Sequence, residues 1–152
     1  MKSYLREQFN TAYDTDIWFV SFKSAVQDLN EEQALYKTAP DVHSVYELVT
    51  HLCFWNERYL QKLKNESPAP IDSNEVTFEN KEALSWGALL IKTNEVFAAW
   101  QNALTSIADE TLQTNDWKET IGHLTTHNAY HVGQIVLLRK LQGNWDKTKG
   151  IS

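Results

Sequence analysis

The sequence predicts an all-α fold, a four-helix bundle spanning residues 1–152 as a single domain. Three observations carry that expectation. Apolar residues recur at three- and four-residue intervals along four long stretches. Glycine (5) and proline (3) are scarce in 152 residues, so few turns interrupt those stretches. No run alternates apolar and polar residues as a half-buried strand would. Each stretch carries an apolar face too wide to leave in water, and packing four of them together buries all four. A chain of this length buries about two-thirds of its unfolded surface.

The first helix is expected from about Ser3 to Leu29, with Leu5, Phe9, Ala12, Phe19 and Val26 facing inward and nothing to break it. Asn30 and the polar residues after it end the run, and Pro40 closes the first linker. The second helix opens on Ser44-Val45-Tyr46-Glu47, a capping box in which Ser44 and Glu47 satisfy each other's backbone N–H groups. Val45, Leu48, Leu52, Trp55 and Tyr59 follow at bundle spacing. The helix should stop near Asn65, because Ser67-Pro68-Ala69-Pro70 cannot continue it.

Residues Pro68 to Phe78 form a connection of roughly ten residues, against the two to eight usual in bundles. Such a length suits a long crossover between helices 2 and 3 rather than a plain up-down-up-down order. The third helix is expected from about Asn80 to Ile107, with Ala83, Trp86, Leu90, Phe97 and Leu104 on its buried side. A polar connection follows, in which Leu112 tucks under the bundle. The last helix runs from about Thr120 to Leu141, and Gly143 suits its C-terminal cap.

Composition narrows the function classes. With 42% hydrophobic and 22% charged residues the chain is an ordinary globule. It carries 20 acidic and 14 basic residues, a net charge of −6, and no run of Lys or Arg. A nucleic-acid partner is therefore not expected. No stretch approaches the roughly 18 apolar residues of a membrane span, and the first residues hold no apolar signal core. A single cysteine, Cys53, excludes an internal disulfide and fits a reducing compartment. The expected setting is cytoplasmic, with a small-molecule substrate and no membrane partner.

The chemistry concentrates in histidines. His127 and His131, four residues apart, share a helix face with Leu124, Ile135 and Leu138, the face that should point inward. A buried imidazole needs a partner. Most histidine pairs of this spacing are structural, but here the pair lies on the apolar side. Gly133, a helix-weakening residue, suggests close packing nearby, and His51 on the second helix offers a third nitrogen. Facing helices of a bundle build metal sites in this way. Three neutral imidazoles suit Zn²⁺, Ni²⁺ or Fe²⁺ and leave coordination positions open, as catalytic sites do. A thiol or water bound there has its pKa lowered and becomes a nucleophile near neutral pH.

His123 complicates the count, since His123 and His127 form a competing pair. The ridge drifts by about 40° every four residues, so the later pair is favoured and His123 is assigned to the surroundings. Asn128 and Gln134 border the pair and are candidates to hydrogen-bond a ligand or orient a ring. Trp55 is a candidate pocket wall beside His51. Cys53, two residues from His51, points elsewhere and reads as a buried inert thiol. His43 precedes the second helix and is expected to be exposed. The six tryptophans read as core or interface residues.

The stretch His127-Asn-Ala-Tyr-His131-Val-Gly133-Gln134-Ile135, followed by Arg139, resembles the last-helix signature of the DinB/YfiT-like superfamily. The stretch Ser44-Val-Tyr-Glu47-Leu-Val-Thr-His51, followed by Trp55, resembles its second-helix signature. Together they span essentially the whole chain; only His43 departs, standing where relatives often carry an aromatic residue. The resemblance implies a bundle of unusual connectivity and a divalent metal at His51, His127 and His131. It also implies a homodimer, and activities that include transferases using low-molecular-weight thiols such as bacillithiol, mycothiol or glutathione, and mycothiol-dependent isomerases. The leading expectation is thus a metal-dependent thiol S-transferase acting on small electrophiles in detoxification or stress response. Two alternatives stand beside it: a hydrolase using metal-bound hydroxide, and a non-catalytic metal-binding stress protein. No protein residue is picked out as the nucleophile.

Overall fold

The computed structural model describes residues 1–149. Its elements are α1 (Lys2–Tyr13), α2 (Phe22–Val26), α3 (Glu31–Leu35), α4 (Val45–Leu63), a 3-10 turn (Glu75–Phe78), α5 (Trp86–Ser106), α6 (Asp109–Leu112) and α7 (Trp117–Gln142). The class is all-α, with no strand among the described residues. Four helices are long, at 12, 19, 21 and 26 residues, and three have only four or five. None of the described helices is long and apolar enough to cross a membrane. The chain divides into two compact units: Met1–Gln27 with the chain from Ala99 onward, and Asp28–Ala98.

In the first unit α1 packs along α7, and α2 and α6 also lie against α7. Phe9, Ala12, Phe22, Trp100, Leu104, Ile121 and Ile135 are fully buried there. Leu112 is buried as expected.

The expectation of one unbroken helix over Ser3–Leu29 is corrected here. The helix ends at Tyr13, and local side-chain bonds explain why. The Asp16 carboxylate accepts from the Ser21 N–H at 2.8 Å and from the Ser24 hydroxyl at 2.8 Å. Ser21 then caps α2. Short polar side chains that bond nearby backbone in this way compete with helix. Ile17 and Trp18 are left exposed, Trp18 at 85%.

Arg139, the last residue of the α7 signature, has a structural task in the same unit. Its guanidinium is buried and donates to the carbonyls of Ala25 (2.7 Å) and Gln27 (2.9 Å) at the end of α2, and to that of Asn144 (3.0 Å). A helix end leaves carbonyls without partners, and the planar fork of an arginine can serve several at once. Gly143 closes α7 in the left-handed region at φ 74°, as expected of its cap.

In the second unit α3 and the 3-10 turn pack on α4. The capping box forms as read: Ser44 N–H donates to Glu47 Oε2 at 2.7 Å, and Glu47 N–H to Ser44 Oγ at 3.1 Å. Burial alone would raise the Glu47 carboxyl. The Ser44 N–H and the Lys37 ammonium outweigh it and hold the carboxyl below its ordinary value. Asn30 does not simply end a helix; it caps α3, accepting from Gln33 N–H at 2.8 Å. The expected helix start at Asn80 is also corrected. The Asn80 side chain brackets Leu84, accepting from its N–H at 2.9 Å and donating to its carbonyl at 3.2 Å. α5 begins only at Trp86. Ala83, expected on the buried face, is exposed and left-handed at φ 52°.

Candidate metal centre

On α7, one helical turn brings His127 and His131 together. Their rings lie 4.6 Å apart at 85°, and their Nε2 atoms 3.1 Å apart. His131 is buried and His127 half-buried, among the buried neighbours Leu124, Ile135 and Leu138. The expected inward face is therefore the observed one. His131 Nδ1 lies 2.6 Å from Gln134 Oε1. An amide oxygen only accepts, so Nδ1 carries the hydrogen and the lone pair of His131 is on Nε2. The Gln134 amide nitrogen in turn donates to the Tyr130 hydroxyl at 3.3 Å. Burial, and then the neighbouring His131, lower the pKa of His127 to about 4. It is neutral, and able to donate a lone pair, throughout the physiological range.

On α4, His51 is buried. Its Nδ1 lies 2.6 Å from Thr77 Oγ1. Its ring stacks on Phe78 at 4.0 Å and 5°, and Phe78 takes His43 on its other face at 3.8 Å and 3°. His43 is therefore half-buried, not exposed as the sequence suggested. Trp55 meets His51 edge-on at 6.4 Å.

His51, His127 and His131 each offer one nitrogen, and the three atoms all lie within 4.8 Å of one another. The comparison with protein families adds an independent observation: the DinB superfamily model matches residues 21–135. The chain belongs to the DinB superfamily. No curated protein and no solved structure matches it.

The donor set of this DinB chain fits a divalent cation. It contains imidazoles alone, the ligands suited to Zn²⁺, Ni²⁺ or Fe²⁺. The 3.1 Å between the Nε2 atoms of His127 and His131 is the spacing of two nitrogens about 2.1 Å from one ion and roughly at right angles. His123 is not in the group and is exposed on α7. Asn128 is fully buried. Gly133 is exposed, with nothing within 4 Å of where a Cβ would sit, so the close packing expected there is absent. Cys53 is buried, and that burial pushes its thiol up despite a bond to Thr93.

Sequence reasoning missed Thr77 and Phe78. Both lie in the connection read as plain linker, and neither belongs to a periodic pattern. The only signal available was their position in a connection longer than a bundle needs.

Proposed function

We propose that this chain is a divalent-metal-dependent enzyme, and within that class a thiol S-transferase acting on small electrophiles in detoxification or stress response. The observation that carries the reading is the convergence of three imidazole nitrogens with no carboxylate or thiolate among them. His51, His127 and His131 would hold the ion. When bound, it lowers the pKa of a thiol or water and stabilises the resulting anion.

The chain's own residues prepare that site. Gln134 fixes the ring of His131. Burial keeps His127 neutral. Cys53, the chain's single thiol, is buried and held protonated, which makes it a poor nucleophile. An external thiol would supply the attacking group, the candidates being bacillithiol, mycothiol and glutathione. Such chemistry and a lone buried thiol both fit a reducing, cytoplasmic setting. A homodimer is part of the proposal, supported by exposed Trp18, Leu137 and Leu141.

The test is an assay of metal-loaded protein with each of the three thiols and a chlorinated aromatic acceptor. Thiol-dependent turnover above the metal-free control is expected. No turnover with any thiol overturns the transferase reading. Ester hydrolysis without thiol would replace it with the hydrolase. Metal uptake without either reaction would replace it with the non-catalytic metal-binding protein.

A further inference from the structure

Two consecutive residues of the 3-10 turn grip the ring of His51, Thr77 at its edge and Phe78 on its face. Thr77 Oγ1 lies 2.6 Å from His51 Nδ1 and also donates to the Asn74 carbonyl at 2.6 Å. A hydroxyl has one hydrogen to give. The Asn74 carbonyl can only accept, so that hydrogen is committed to it. Oγ1 therefore presents a lone pair to His51, and the 2.6 Å contact is a hydrogen bond only if Nδ1 carries the proton. The lone pair of the neutral ring is then on Nε2.

We propose that Thr77 is the positioning residue of the metal centre, holding His51 in its Nδ1–H form so that Nε2 is the atom offered to the cation. The inference rests on the metal-binding reading above. Four further observations support it. The turn itself locks the hydroxyl, because Thr77 N–H donates to the same Asn74 carbonyl at 3.1 Å. Thr77 is buried, at 1% exposure, so water does not compete for its oxygen. Flipping the His51 ring would give up the Thr77 bond, while the His43–Phe78–His51 stack fixes the ring plane. His131 shows the same arrangement, with an acceptor oxygen of Gln134 on its Nδ1. Ligand rings held through the other nitrogen in this way are oriented and made more basic, and losing the partner costs about 10–100-fold in metal affinity.

The test reads the tautomer directly. In metal-free protein with isotope-labelled imidazole nitrogens, long-range proton–nitrogen correlations should show His51 protonated on Nδ1 and bare on Nε2. Thr77→Val keeps the shape and removes the oxygen. It should blur or reverse that pattern and weaken Zn²⁺ binding by about 10–100-fold, and Thr77→Ser should restore both. A wild-type His51 protonated on Nε2 overturns the proposal, as does a Thr77→Val variant with unchanged tautomer and unchanged Zn²⁺ affinity. If Thr77→Val does not fold, the wild-type spectrum and Thr77→Ser still decide. Wild-type protein that takes up no Zn²⁺ overturns the metal reading itself, whereas the tautomer, recorded without metal, reports on Thr77 alone.

Discussion

His127 sets the pH behaviour expected of the metal-free protein. Its pKa in the fold is about 4, against an ordinary 6.5. Between these values the unfolded chain binds a proton that the folded chain refuses. The stability contribution is thus fully present above about pH 6.5 and is lost as the pH falls toward 4. Thermal unfolding should show a midpoint that drops between about pH 7 and about pH 4.5, and drops less in His127→Ala. Equal drops in both proteins would contradict the burial argument. The histidines were legible in the sequence because helical geometry alone puts residues four apart on one face. Their surroundings were legible only in part. Gln134 sits three residues from His131 and was within reach of the same reasoning. Thr77 is 26 residues from His51, and no periodicity links a turn in a linker to a ring on a helix.

At the scale of elements, local side-chain bonds decide where helices begin. Ser44→Ala removes half of the capping box on α4 and should cost about 1 kcal/mol in urea unfolding; a loss near zero would show that Glu47 alone holds that terminus. Arg139→Ala strands carbonyls at the end of α2 and should cost about 3 kcal/mol, while leaving metal stoichiometry unchanged. A loss of metal with unaltered stability would instead place Arg139 in the site chemistry. α4 and α7 were readable because a capping box and a C-terminal glycine marked their ends. The first helix was misread for a definite reason. Leu5, Ala12, Phe19 and Val26 are each seven residues apart, so the apolar rhythm runs on across the break. Asp16, which makes the break, looks like any exposed acid until its bonds to Ser21 and Ser24 are seen.

For the whole molecule, a cation held only by the folded chain must stabilise it. Free Zn²⁺ at about a hundred times its dissociation constant should add about 2.7 kcal/mol and raise the unfolding midpoint. A midpoint indifferent to Zn²⁺ would mean that the ion does not select the folded state. If the exposed Trp18, Leu137 and Leu141 belong to a contact between copies, wild-type protein should sediment as a dimer and Leu137→Glu should shift it toward monomer. A monomeric wild type would contradict that assignment. Whether the three histidines hold one ion is decided by metal content after equilibrium dialysis of untagged protein and its His51→Ala, His127→Ala and His131→Ala variants. One divalent ion per wild-type chain is expected, and loss of that ion in each variant. Equal occupancy in wild type and all three folded variants would contradict that expectation.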